Sequence, residues 1–405
     1  MNRLFRFAAA ALLLAAPAVL ASSAKAQDSI TIGFTTSQTG ALNVDSLAQL
    51  RGFEMWRDDV NAAGGIKVGG KPYMVKFVSY DDQSQGARVQ QLYTQLIVQD
   101  KAQFLFSPYS SGLAATAAVI SEQYGALMIT AGAAEAKTYE LGNKYLFQLY
   151  TPADNYLTGA LQAIKLKKPG ATIALVYSDD PFSKAVAIAT REQAKTMGFK
   201  IVLDESYPPD QTDFSAIINK IVSAKPDALL GGGHYPDGAT LTRQIHDQKA
   251  GIKWVTLLVA PDSAQFATLG ASAVGVSVPS QWAPQVKYKS NYGPSSESFA
   301  QRFKAKYNTD SDYHSAGGYG AGLLFQHAIE QAGSVDPAKV AAALDTTNIT
   351  TLFGPCKFST DPASHGLQLV HQMVLTQWQM KGGQLVKEVI WPLAASSAPI
   401  LYPIH

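Results

Sequence analysis

The sequence predicts an α/β protein built as two Rossmann-like lobes with a cleft between them. Three observations carry this expectation. Short apolar runs alternate with segments of helical periodicity through both halves of the chain. The length of 405 residues suffices for two domains of ordinary size. Near Leu149, and again over residues 276–283, the alternation gives way to segments that read as crossings between the halves.

The N-terminus is set apart first. Residues 1–26 form the pattern of a secretory signal peptide: Arg3 and Arg6, an apolar stretch over 7–20, and Ala24-Lys25-Ala26 before Gln27. Removing its three basic residues and no acid takes the formal charge from +2 to −1. No basic excess points to nucleic acid or anionic lipid. A single Cys356 cannot make an internal disulfide, so the core must supply stability. An export signal without a second hydrophobic span implies a soluble protein of the bacterial periplasm, or a secreted one.

Residues 29–34 read as the first strand and 46–61 as an amphipathic helix with Leu47, Leu50, Phe53 and Val60 on one face. Gly64-Gly65 stops that helix, and Gly69-Gly70 turns into a strand over 73–80. Asp81-Asp82 lies just ahead of a helix over 85–99, where negative charge suits the N-terminus. After a short strand at 145–149 the rhythm restarts, with helices over 156–166, 182–197, 214–223, 239–248 and 263–269. Strands over 172–177, 200–205, 228–230 and 254–258 separate them. Helices over 296–307, 315–331 and 337–344 follow, then strands at 356–358, 372–380 and 385–391, the last two turning at Lys381-Gly382-Gly383.

The stretch 104–138 organises the rest. Strand 104–106 stops at a hydroxyl-rich turn, Ser107 to Gly112. A small-residue helix over 113–123 follows, then a strand over 126–129 and the turn Thr130-Ala131-Gly132-Ala133-Ala134. This is a βαβ unit with both turns at the carboxyl ends of parallel strands, where open α/β sheets hold ligands. Free amides at the helix N-terminus favour an anion there. Ser110, Ser111 and the amides of Gly132, Ala133 and Ala134 are therefore expected to form half of a small-molecule site.

Other chemistry is poorly represented. The nucleophile-elbow pattern is absent, and Pro236 stands where a dinucleotide loop after Gly231-Gly232-Gly233 needs its third glycine. The seven histidines show no metal-ligand spacing, and Asp310/Asp312 lack the glycine and distal glutamate of a calcium loop. We expect no cofactor, no metal and no catalytic residues.

Several motifs stand in the order and spacing of a known group. Ser37-Gln38-Thr39-Gly40, Arg51-Gly52, Asn61-Ala62-Ala63-Gly64-Gly65-Ile66, Tyr80-Asp81-Asp82, Ser110-Ser111-Gly112, Thr212-Asp213-Phe214-Ser215 and Gly232-Gly233-His234-Tyr235-Pro236-Asp237 resemble type I periplasmic binding proteins. The branch most similar is the leucine/isoleucine/valine-binding family of ABC importers. The resemblance implies three hinge crossings, near Leu149, Pro279 and Pro355. One lobe would comprise 27–148 and 281–355, the other 149–280 and 356–405. It implies that Ser110 binds the ligand carboxylate, with Gly132 and Ala134 beside it. Phe182 would pack over the ligand, and His234 or Tyr235 would take the place of a family tyrosine. Asp262 falls near the acid that neutralises an α-ammonium.

The departures are informative. Ala134 replaces a threonine that accepts from the ammonium, and a buried cation without partners is costly. Ser84 and Tyr109 stand where some members carry a short disulfide. Tyr109, His234, Tyr235 and His314 or Tyr313 suggest a larger, more aromatic site. The expectation is a monomeric solute-binding protein that captures a small carboxylate by hinge closure and delivers it to an ABC permease. An aromatic acid is narrowly preferred over a branched-chain amino acid. An amide or urea-type sensor and an enzyme on this scaffold are the rivals, the latter lacking a visible nucleophile or metal.

Overall fold

In the computed structural model, residues 28–404 are described; the signal-peptide stretch lies outside them. The first lobe opens with β1 (Ser29–Thr36), α1 (Asn43–Ala62), β2 (Ile66–Val68), β3 (Lys71–Asp81), α2 (Gly86–Val98), β4 (Phe104–Phe106), α3 (Ser111–Gln123), β5 (Met128–Thr130) and β6 (Leu146–Gln148). Its six-stranded sheet runs β2-β3-β1-β4-β5-β6, parallel except for the β2–β3 hairpin. The chain then builds α4 (Thr158–Lys167), β7 (Thr172–Ser178), α5 (Pro181–Met197), β8 (Lys200–Tyr207), α6 (Ser215–Ala224), β9 (Ala228–Gly232), α7 (Tyr235–Asp247), β10 (Val255–Leu257) and β11 (Ser277–Ser280). It returns through α8 (Ser296–Tyr307), α9 (Tyr313–Ala332), α10 (Pro337–Asp345), β12 (Ile349–Thr351) and β13 (Gly354–Cys356), and ends with β14 (Val374–Lys381) and β15 (Gln384–Trp391). The second sheet runs β15-β14-β11-β10-β9-β7-β8, with β14 and β15 antiparallel at one edge.

The shared motifs have structural causes. Asp81 accepts from the Gln38 amide at 3.0 Å and from Thr39 Oγ1 at 2.8 Å, while Asp82 takes Thr35 Oγ1 at 2.7 Å and Ser37 Oγ at 2.6 Å. These two acids pin the loop that leads into α1. Asn61 bonds both polar groups of Val75, and a Cβ at Gly65 would sit 2.4 Å from the Tyr73 carbonyl.

Three expectations change. Residues 276–283 include β11, a full member of the second sheet, because Ser277 Oγ joins Thr256 Oγ1 at 2.7 Å and the Val255 carbonyl at 3.0 Å. The expected helix over 263–269 is instead a run of 3₁₀ turns broken at Gly270. The third crossing was expected at Pro355, but residues 357–371 stay with the first lobe. Gly366 accepts from the Gln148 amide at 2.8 Å and Gln368 donates to the Leu149 carbonyl at 3.2 Å, so the chain changes sheet only after His371.

The crossings are tied to one another. Gln281 bonds both backbone groups of Thr151, at 2.9 and 3.1 Å, and Thr151 Oγ1 meets His371 Nδ1 at 2.7 Å. In the first lobe α1 and α9 approach backbone to backbone. A Cβ at Gly318 would lie 2.3 Å from the Gln49 carbonyl, and one at Gly52 would lie 2.1 Å from the Ser315 carbonyl. Phe53 and Phe106 stack at 4.1 Å beneath. This close contact sets where the N-termini of both helices point. Gly318→Ala is expected to cost about 1–3 kcal/mol of unfolding free energy; a denaturant titration showing less than about 0.5 kcal/mol, the ordinary range for an innocuous substitution, would contradict the close-approach account.

Candidate functional site

A narrow, nearly shut cavity lies where strand ends of the two lobes face each other. The first lobe contributes Tyr109, Ser110, Ser111, Gly132 and Ala134 from the turns after β4 and β5, and Tyr313 from α9. The second contributes Phe182, His234 and Val259 from the turns after β7, β9 and β10, while Tyr150 and Tyr156 flank the first crossing. Wider hollows occur behind the crossings, by residues 155–162 and Trp391, and at the rim between residues 43–51 and 263–268. Neither gathers the turns after β4, β5, β7 and β9.

Two lining residues, one from each lobe, have strained backbones. Ser110 sits at φ 82° and Val259 at φ 40°, where L side chains are rare. Such strain persists where surrounding structure over-determines it, commonly at ligand sites. Ser110 caps α3: its Oγ accepts from the Leu113 amide at 3.3 Å. Ser111 Oγ accepts from the Ala134 and Glu135 amides, each at 3.1 Å. With oxygen lone pairs so engaged, each hydroxyl retains its O–H as a donor. The first-turn amides of α3 have no intrahelical acceptor and add to the positive end of the helix.

Charge is concentrated at His234. Its Nδ1 meets Tyr109 Oη at 2.9 Å across the cleft, and its Nε2 lies 3.8 Å from Asp180 Oδ1. Burial opposes the imidazolium, but Asp180, Asp45 and Asp237 outweigh it and push His234 up to about 9. Burial likewise opposes the charge of Asp180, yet His234 and the Ser183 contacts pull that carboxyl down to about 2. The cavity wall therefore carries a protonated imidazole at neutral pH. His314 behaves oppositely: burial pushes it down to about 3, and its ring lies 4.0 Å from Tyr313 and 5.0 Å from Tyr109. Neither of its ring nitrogens has a hydrogen-bond partner among the described residues.

Several anticipated residues sit elsewhere or act differently. The Ala134 amide is committed to Ser111, so Ala134 offers the cavity only its methyl. Ala133 is buried behind the lining, its carbonyl accepting from Gln148 at 3.4 Å. Of the pair His234 and Tyr235, only His234 lines the cavity; Tyr235 opens α7 and packs into the second lobe's core. Of Tyr313 and His314, Tyr313 is the lining residue. Asp262 is fully buried outside the lining. Its carboxylate takes Lys387 Nζ at 2.8 Å, Ser280 Oγ at 2.8 Å and the Tyr313 amide at 2.8 Å. An acid so paired has no free oxygen to offer an ammonium.

Tyr150, Tyr156, Val259, Asp45 and Asp180 escaped sequence reasoning. Tyr150 and Tyr156 flank a segment that reads as a crossing, and topology alone puts crossings beside the cleft. Asp180 precedes a proline at a helix start, a capping signal. Asp45 gives no signal: it is an acid in a helix first turn, ordinarily solvent-facing. Here it is buried, pushed up to about 7 by that burial against the pull of His234, with Oδ1 unpartnered among the described residues.

A sequence profile described as "Periplasmic binding protein" matches residues 29–384. An amino acid binding protein of Pseudomonas aeruginosa is 25% identical over 378 residues, covering 92% of this chain and 96% of that one. Two solved structures share the fold. A Streptococcus pneumoniae branched-chain amino acid substrate-binding protein in complex with isoleucine has a TM-score of 0.73 at 22% identity, over 90% of this chain and 99% of that one. An R. palustris solute-binding protein in complex with benzoate has 0.77 at 20%, over 92% and 97%.

His234 has its pKa raised above the unfolded value. Its stabilising contribution is therefore complete below about pH 6.5 and is lost as pH rises through about 9. Imidazole resonances followed by NMR should place the His234 midpoint near 9, and Asp180→Asn should bring it down markedly. A midpoint near 6.5 in both proteins would contradict the assigned pairing.

Proposed function

The chain belongs to the periplasmic binding protein family, and on that footing we propose that it captures a small aromatic carboxylate between its lobes and presents it to a permease. The family and fold are those of ABC transporter substrate-binding proteins, which are not enzymes. Among the described residues no helix is long and apolar enough to cross a membrane.

One observation carries the choice of ligand. The cavity pairs anion-seeking groups with aromatic walls and offers no free acid where the family's ammonium partner would stand. The donors are the Ser110 and Ser111 hydroxyls and the α3 N-terminus, with the positive charge of His234 beside them. Tyr109 and Phe182 flank them from opposite lobes, with Tyr150, Tyr156 and Tyr313 completing the wall. Hydrogen bonds from such groups to a charged oxygen are worth about 1.5–3 kcal/mol each. Asp262, the expected ammonium partner, is already neutralised by Lys387. Fold relatives include proteins solved with benzoate, 3,4-dihydroxy benzoic acid and 4-hydroxybenzoate.

A branched-chain amino acid is the second reading, and Asp45 favours it. Its buried, unpartnered Oδ1 lies in the neighbourhood of Tyr109 and His234 and could accept from an ammonium. The relatives named for Leu, Ile and Val binding support the same alternative.

Thermal-shift measurements with benzoate, 4-hydroxybenzoate, leucine and isoleucine separate the two. The aromatic acids should raise the melting temperature, by a stabilisation of about 2.7 kcal/mol at a hundredfold excess over Kd. Ser110→Ala should weaken benzoate binding about ten- to a hundredfold, the loss of one charge-assisted hydrogen bond. Stabilisation by leucine alone, abolished in Asp45→Asn, would establish the amino-acid reading instead.

A further inference from the structure

We infer that Asp262 and Asp45 are reciprocal latches: each carboxylate, rooted in one lobe, receives the first backbone amide of a helix belonging to the other, and together they hold the cleft closed. The inference rests on the reading that capture proceeds by closure of the lobes, and assigns to Asp262 a role other than ligand contact.

The geometry is cross-lobe at every step. Asp262 follows β10 and is anchored within the second lobe by Ser280 of β11 and Lys387 of β15, at 2.8 Å each. Its second oxygen takes the amide of Tyr313, the first residue of α9, at 2.8 Å. Helix α9 belongs to the first lobe through its glycine-mediated contact with α1. In the opposite sense, Asp45 stands in the first turn of α1, and its Oδ2 takes the amide of Tyr235, the first residue of α7, at 3.4 Å. Between the two lies the third cross-lobe contact, Tyr109 to His234.

Why these two amides are available follows from helix chemistry. The first amides of a helix have no intrahelical acceptor, and a cap side chain satisfies only those further in. Asp312 caps the Ser315 amide and leaves that of Tyr313 free for Asp262. Buried away from water, an amide without an acceptor is costly, so separating the lobes must either hydrate both helix ends or leave them unpaired. An anion at a helix N-terminus is favoured further by the helix dipole. Both acids are at most 1% exposed, so solvent screens these contacts little. Lys387 makes the Asp262 latch the stronger: it anchors that carboxylate within the second lobe without competing for the oxygen that faces α9.

Proline substitutions isolate the amide from the side chain, because proline lacks only the N–H and is well tolerated at the first helical position. The residues before both sites, Asp312 and His234, are extended, as a following proline requires. Tyr313→Pro is compared with Tyr313→Ala, and Tyr235→Pro with Tyr235→Ala. Both members of each pair lose the ring, and only the proline variant loses the donor. Solution X-ray scattering of the ligand-free full chain, with melting temperature to confirm folding, reads the result. The expected outcome is a larger radius of gyration for each proline variant than for its alanine partner, with the greater shift at Tyr313. Benzoate should also dissociate about tenfold faster from Tyr313→Pro than from Tyr313→Ala. Matching radii within each folded pair would overturn the latch. The scattering arm requires no ligand, so a protein that binds no benzoate but opens in the proline variants keeps the latch and fails the ligand assignment.

Discussion

A buried imidazolium between two lobes constrains everything near it. His234 is held by Asp180 on its own lobe and by Tyr109 on the other, and a charge in that position is tolerable only while both partners are present. The arrangement requires the carboxyl ends of two parallel sheets to meet face to face. It also requires that the polar ends of their helices find acceptors across the gap. The closed cleft is thus a polar junction lined with aromatic rings rather than an apolar seam. The anionic guest proposed for it would place its charge against the imidazolium and the serine hydroxyls.

The lobes themselves rest on simpler physics. Alternating apolar and amphipathic segments gave the order of strands and helices plainly, since the hydrophobic period changes between them. The glycines of α1 and α9 allow backbone contact, and the acid pair Asp81 and Asp82 fixes the loop before α1. Those motifs identify the family because the fold needs them, and they say little about the guest.

What the sequence hid is equally physical. β11 lacked a strand's alternation because both its faces are buried. The position of the third crossing depends on where residues 357–371 find hydrogen-bond partners, which no local pattern encodes. Ser110, Ser111, Gly132 and His234 could be read from turns at strand ends and Phe182 from the family resemblance, and the fold gathers them at one cavity. Asp262 could not: only the long-range partner Lys387, 125 residues away, shows that its carboxylate is committed. Asp45 was invisible for the same reason: the amide that reaches its carboxylate, that of Tyr235, lies 190 residues away on the other lobe.

The most direct test of the account is a crystal structure of the protein grown with benzoate. The account predicts the carboxylate within hydrogen-bond distance of Ser110 Oγ and Ser111 Oγ, with the ring between Tyr109 and Phe182 and Asp262 still bonded to Lys387. Benzoate bound away from the serines, or Asp262 turned from Lys387 toward the guest, would contradict it.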